Sequence, residues 1–305
     1  MSRELRNMGA SVRAKLLTRS RAEGAEYQIL LTRYALERLL YRLSVSAHNE
    51  KFILKGALLF VTWLSDPFRP TRDLDLLGDG HRSPLKLATT FKEICGTAVP
   101  DDGVTFDTVG LTAEPIREDV KYDGVRIQTQ ATIDGARLPI QVDIGFGDII
   151  TPGPVEIEYP ALRDSPAPHL WAYPVETVVA EKFEALVTLG IANSRLKDFY
   201  DLWLISRTFQ FDYAGLSNAV KRTFQRRNTP VPDKTPTGLT ALYVSQWAAR
   251  WRVFLNRAHM KAAPEDLALV VADLHSFLVP LTEPSTENPT WPPGGPWSIL
   301  KDEGS

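Results

Sequence analysis

Asp73 and Asp75 stand one residue apart in the segment Arg69-Pro-Thr-Arg-Asp-Leu-Asp-Leu76. On a β-strand, side chains i and i+2 leave the same face, so both carboxylates would project together while Leu74 and Leu76 point into a core. Two like charges that close are costly unless a cation shares them. A hard divalent ion such as Mg²⁺ or Mn²⁺ meets that need, taking one or two carboxylates and completing its shell with phosphate oxygens. The pair therefore suits phosphoryl transfer, although Asp-x-Asp also occurs on many solvated strand faces.

Its neighbours raise the specificity. Upstream, Phe52-Ile-Leu-Lys55-Gly56 reads as a strand running into a glycine turn and then a helix, an arrangement that can present backbone N–H groups to an anion. Downstream, the alternating run Leu138-Pro-Ile-Gln-Val-Asp143 offers a third carboxylate from an adjacent strand. Three carboxylates on neighbouring strands can hold two metal ions, although Gly145 and Gly147 also allow Asp143 to be a structural turn residue. Further along, Glu181 and Lys182 lie on one helical segment, and Arg195, Lys197, Asp198 and Asp201 on the next. Asp198 and Asp201 are i, i+3 and share a helix face. Lys182 can neutralise triphosphate charge, or it can form a buried bridge to Asp198 or Asp201. Glu181 and Arg195 are equally ordinary surface-pair residues, and Lys197 reads as solvated.

The elements that must position these residues follow from periodicity. The spacing predicts helices over 3–19, 25–44, 57–64 and 84–95, and strands over 72–77, 104–109, 125–134 and 137–146. Asp134-Gly135 joins the last two as a hairpin turn. Six prolines fall within 152–174, which reads as a proline-rich linker over 151–174. Beyond it the chain reads as entirely helical, over 175–190, 196–208, 213–227, 239–258 and 264–280. Residues 284–305 hold five prolines and read as an extended tail that Trp291 and Trp297 can pin. The layout is a mixed α/β half, 1–150, and a helical half, 175–283.

Composition narrows the class. The 305 residues are 44% hydrophobic and 24% charged, with net charge −2, as in a soluble globular protein. A near-neutral total neither demands nor excludes nucleic acid, because basic patches survive inside it. The best such clusters are Arg3, Arg6, Arg13, Lys15 and Arg19, and Lys221, Arg222, Arg226 and Arg227, each of which reads equally well as a solvated helix face. The single cysteine, Cys95, rules out an intrachain disulfide and reads as a small buried apolar residue. Neither a secretory signal nor an apolar run long enough for a membrane span appears, so the expected location is the cytoplasm.

Taken together, Leu54-Lys55-Gly56, Arg69-x-Thr71-x-Asp73-Leu-Asp75-Leu, Val142-Asp143-Ile-Gly145-Phe-Gly147-Asp148, Ala180-Glu181-Lys182 and Arg195-Leu-Lys-Asp198-Phe-Tyr-Asp201-Leu resemble the nucleotidyltransferase toxins of the AbiEii/AbiGii type, which include the MenT-like toxins. The segments come in the family's order from about residue 50 to 205. The resemblance implies an α+β fold: a polymerase-β-like nucleotidyltransferase core with a mixed sheet over 1–150, plus a helical C-terminal domain. It implies Asp73 and Asp75 as the metal pair, with Asp143 as a third ligand, and Lys182 and Asp198 as essential residues of the later motifs. Lys55, Gly56, Arg69, Thr71 and Asp201 would form the nucleotide site. Ala57 stands where the family usually has Gly or Ser, so a hydroxyl contact to phosphate would be missing. The implied activity moves nucleotides from an NTP to RNA, in the MenT-like members to the tRNA 3′ end, which blocks translation. A cognate antitoxin would neutralise it.

The reaction would be in-line attack of an RNA 3′-hydroxyl on the α-phosphate, with Mg²⁺ or Mn²⁺ on the aspartates. Asp143 or Asp198 can accept the hydroxyl proton, and the sequence leaves the two open. The competing readings are transfer to a small hydroxyl compound of aminoglycoside type, a kinase-like transfer of phosphate alone, and a non-catalytic partner-binding protein.

Overall fold

The computed structural model describes residues 7–64, 71–80, 82–118, 122–257, 260 and 262–299. Two helices come first, α1 (Met8–Glu23) and α2 (Tyr27–Ser44). The carboxamide of Asn7 accepts a bond from the Ala10 N–H and caps α1. That places its start at Met8 and its end at Glu23, both later in the chain than the apolar spacing suggests. Helix α2 carries apolar residues around most of its circumference and is buried along most of its length, Tyr34, Leu36, Leu40 and Leu43 included. It packs on α1 and against the sheet.

The sheet contains eight strands among the described residues. They are β1 (Phe52–Lys55), β2 (Asp73–Gly78), β3 (Thr105–Phe106), β4 (Thr112–Glu118), β5 (Tyr122–Ile133), β6 (Ala136–Phe146), β7 (Val155–Glu158) and β8 (His169–Ala172), in the order β3-β5-β6-β2-β1-β8-β7, with β4 also on β5. The sheet is mixed: β2 runs parallel to β6 and β1 parallel to β8, and the other pairs are antiparallel. Asp134 (φ 44°) and Gly135 (φ 80°) both take positive φ, the requirement of the two-residue hairpin turn between β5 and β6. Along β2 and β6, Leu74, Leu76, Leu138, Ile140, Val142 and Ile144 are all buried, and they alternate with polar residues that reach the other face. Between β1 and β2 the expected helix 57–64 is a 3-10 turn, Gly56–Leu59, followed by the single turn α3 (Phe60–Trp63). Leu58, Leu59 and Phe60 are buried there, so the segment is a core plug rather than an amphipathic helix. Helix α4 (Pro84–Cys95) has the bounds that its periodicity predicts. Cys95 is buried, and burial pushes its thiol up to about 12, as befits an inert core residue.

The proline-rich stretch is not a linker throughout. Residues 155–158 and 169–172 are strands that close one edge of the sheet, and the loop between them is bound to α2. The Leu162 N–H donates to Glu37 Oε2 at 2.7 Å, and the Arg38 guanidinium donates to the Pro166 carbonyl at 2.9 Å and to Glu37 at 2.6 Å. Burial drives the Glu37 carboxyl above the ordinary carboxylate range despite Arg38 beside it. Prolines disguise such strands because they remove ladder donors and cluster at sheet edges.

The chain divides into two compact units: Met1–Gly147 with Val155–Tyr173, and Asp148–Pro154 with Pro174–Ser305. The second is built on α5 (Val175–Leu189), α6 (Leu196–Thr208), α7 (Tyr213–Arg226), α8 (Ala241–Arg257) and α9 (Leu267–Leu278). It is not wholly helical. β9 (Phe211–Asp212) pairs with β10 (Thr290–Trp291), which brings residues 290–298 onto this unit. Trp291 Nε1 donates to the Ser206 carbonyl at 2.7 Å and Trp297 Nε1 to the Phe277 carbonyl at 3.0 Å, and Phe277 and the two indoles pack on one another. A buried indole needs such an acceptor, and here each also fixes a piece of chain. Among the described residues no helix is long and apolar enough to cross a membrane.

Candidate active site on the sheet

Strand register builds a row of charge across four strands. Lys55 on β1 lies opposite Asp75 on β2, Asp75 opposite Asp143 on β6, and Asp143 opposite Arg126 on β5. Because alternate residues share a face, Asp73, Gln141 and Gln128 form the next row on the same side. Asp73 is exposed and Asp75 half-buried, while Leu74 and Leu76 between and beyond them are buried. The pair thus has the shared projection that its spacing predicts.

Gly56 follows Lys55 with φ 77°, a conformation that glycine adopts without strain. A Cβ there would lie 2.1 Å from Asp75 Oδ2, so the backbone approaches the carboxylate where only hydrogen fits. Lys55 extends toward Tyr173, with Nζ 5.4 Å from the ring centroid. The Thr71 hydroxyl donates to the Asp73 carbonyl at 3.3 Å, a local bond that steadies the entry to β2. Arg69, expected in the nucleotide site, lies outside the described residues, as do Arg3 and Arg6 of the first basic cluster. The one-turn α3 leaves little helix dipole for an anion, so any phosphate contact near Gly56 rests on the turn's own N–H groups.

Asp143 differs from the β2 pair. Arg126 forks onto it, with Nε 2.8 Å from Oδ1 and Nη2 2.8 Å from Oδ2, and Gln141 Nε2 adds a contact to Oδ2 at 3.3 Å. Both oxygens are therefore engaged, which weighs against the expected roles of third metal ligand and proton acceptor. Motif spacing alone misses Arg126. A signal for it exists all the same, since a two-residue turn at Asp134-Gly135 fixes the hairpin register and sets Arg126 opposite Asp143. Among the described residues no three His, Cys, Asp or Glu side chains form a group able to hold a metal ion. Asp73 and Asp75, two hard oxygen donors on one face with Gly56 pressed against one of them, fit a divalent ion that completes its shell with water and phosphate.

The later motif residues gather within the second unit. Lys182 Nζ lies 2.6 Å from Asp198 Oδ1 and 2.9 Å from Asp201 Oδ2. Arg195 Nε lies 2.7 Å from Asp198 Oδ2. Both carboxylates are sealed from solvent, so the buried ion pair is the arrangement found. Burial would raise the Asp198 carboxyl, but Lys182 and Arg195 outweigh it and hold it below the ordinary range. A carboxylate so stabilised is a weak proton acceptor, which weighs against Asp198 as general base. Lys197 is exposed.

Arg227, expected in a basic RNA-facing cluster, is instead inside the second unit, 3.3 Å from Asp148, 3.2 Å from Glu181 and 2.9 Å from Glu184. Burial would raise Glu184, but bonds from Thr229 and Arg227 hold it low. Lys221, Arg222 and Arg226 are exposed on α7. In the other cluster, Arg13 donates to the Asp134 carbonyl at 2.9 Å, and Arg19 pairs with Glu23 at 2.7 Å. Lys15 and Arg19 line a pocket of about 230 Å³ with Arg163 and Asp164.

Residues 38–273 match the family described as nucleotidyl transferase AbiEii toxin of a type IV toxin–antitoxin system. The fold is similar to the crystal structure of JHP933 from Helicobacter pylori, at 12% identity and a TM-score of 0.50 over 84% of this chain and 95% of that one. It is also similar to an H. pylori protein described provisionally as a nucleotidyltransferase, at 14% identity and a TM-score of 0.50 over 84% and 98%. No curated protein matches this sequence significantly.

Proposed function

We infer the function from a premise: the chain belongs to the AbiEii family of nucleotidyltransferase toxins of type IV toxin–antitoxin systems. The reaction we propose is transfer of a nucleoside monophosphate from an NTP to a 3′-hydroxyl of RNA, with tRNA as the acceptor and arrest of translation as the outcome. The hydroxyl oxygen attacks the α-phosphorus, the bond from that phosphorus to the bridging oxygen breaks, and pyrophosphate leaves. The observation that carries this reading is the same-face pair of exposed Asp73 and half-buried Asp75 on β2, with Gly56 against Asp75.

Asp73 and Asp75 would hold a divalent ion, Mg²⁺ or Mn²⁺, whose charge would offset the negative charge that builds on the phosphoryl oxygens. Lys55, next to Asp75 in the row, would meet triphosphate oxygens, with the N–H groups of the Gly56 turn beside it. Lys182 and Asp198 enter as required residues of the later motif, and Asp201, expected at the nucleotide, is bonded to the same lysine. Their mutual bonds support a role in fixing that unit's local structure. The exposed Lys221, Arg222 and Arg226 would contact the RNA backbone. A cognate antitoxin completes the system.

The test is incubation with each NTP, labelled in parallel at the α- or the γ-phosphate, Mg²⁺ and either total RNA or aminoglycosides. Label should enter tRNA and be lost in Asp73→Ala. Because the ion would stabilise the transition state by several kcal/mol, the loss should be about a thousandfold. Label on the aminoglycoside alone would replace the acceptor, and transfer of γ-label would make the protein a kinase.

A further inference from the structure

We infer that Arg126 is a resident cation for Asp143, so that the sheet takes up a single divalent ion, on Asp73 and Asp75, with the guanidinium where a second ion would sit. The inference rests on the nucleotidyl-transfer reading and specifies its site.

Asp75 and Asp143 are direct partners on adjacent strands of the charge row, so their backbones lie only about 4.8 Å apart. Two carboxylates at that spacing need a countercharge. A two-ion site would supply it with metal bridging three carboxylates. Here the chain supplies it covalently, with Lys55 at one end of the row and Arg126 at the other. Arg126 makes two parallel bonds of 2.8 Å, one to each Asp143 oxygen, the geometry in which guanidinium–carboxylate pairing is strongest. Gln141 adds its N–H to the same carboxylate. An arginine side chain does not lose its proton at any ordinary pH, so the positive charge beside Asp143 is permanent. An ion seeking Asp143 would have to displace all of these donors. Asp75 lies on the other side of Asp143 from Arg126, and Asp73 leaves the same face of β2 one row along. Arg126 thus acts as a positioning residue: it fixes Asp143 and neutralises it, and it restricts metal to the β2 pair.

Titration with Mn²⁺ alone, followed by loss of the free-ion EPR signal, counts ions per chain. Wild-type protein should bind one ion, and Asp73→Ala should bind none. Arg126→Gln should bind two, and adding Asp143→Asn should return it to one. Arg126→Lys, which keeps the charge, should stay at one. Circular dichroism checks that each variant is folded, and a purely structural Arg126 would not change the ion count. Two ions in the wild type, or one in folded Arg126→Gln, would overturn the inference and leave nucleotidyl transfer standing. Equal Mn²⁺ binding in wild type and Asp73→Ala would overturn both.

Discussion

The aspartates of β2 and those of α6 are the same residue type at short spacing, each pair beside a lysine, yet their surroundings differ. Asp73 is exposed and Asp75 half-buried, both on one face of a strand. Asp198 and Asp201 are sealed, with Lys182 between them and Arg195 on the second Asp198 oxygen. A carboxylate in the first setting remains within reach of solvent. One in the second has already exchanged water for protein, and its charge is committed to the fold. Motif spacing alone does not separate the two cases, whereas burial does.

That contrast breaks if stability and activity respond alike in the two places. Asp73→Ala, which should abolish transfer, should leave stability within about 0.5 kcal/mol of wild type, as for surface sites generally. Lys182→Met should do the reverse to stability, costing about 3–5 kcal/mol because two buried carboxylates lose their shared cation. Urea denaturation of both variants decides the matter, and a stable Lys182→Met would remove the structural reading of the α6 motif. Gly56→Ala lies between them. The positive φ and the clash with Asp75 should cost about 1–3 kcal/mol, and the displaced carboxylate should lower transfer about a hundredfold. Activity retained in Gly56→Ala would show that Asp75 need not be held there.

Acid sharpens the comparison with the smallest effect. Asp198 and Glu184 are held below the ordinary carboxylate range in the folded state. Their stabilisation is therefore complete above the unfolded-state value near 4 and fades as pH falls below about 4. Glu37, raised by burial, works in the opposite sense and is relieved as pH falls. Denaturation followed from about pH 7 to about pH 3 should show the second unit weakening first, with a flatter dependence in Lys182→Met. An identical pH slope in the two proteins would dissociate Lys182 from the Asp198 shift.

Much of this was legible in the sequence where the information is local. Alternation in Arg72–Leu77 placed both β2 carboxylates on one face, Asp134-Gly135 announced its hairpin, and α4 and α6 have the bounds their periodicity predicts. Non-local pairing was not legible. Nothing in residues 73–78 says that they run parallel to 141–146, so the charge row emerged only with the register. The strands at 155–158 and 169–172 were hidden by prolines that sit at a sheet edge without breaking it. Arg227 read as a basic surface residue because its partners, Asp148 and Glu181, are distant in sequence.

The tryptophan strap has a consequence for synthesis. The sheet of the first unit needs nothing beyond Tyr173, so it can close while the chain is still being made. The second unit must wait for Trp291 and Trp297 before Phe211 and Phe277 are covered. At the usual pace of translation, that delay is on the order of ten seconds. During it the nascent chain would carry both a finished sheet, Asp73 and Asp75 included, and an exposed aromatic surface, a form that chaperones or proteases can intercept.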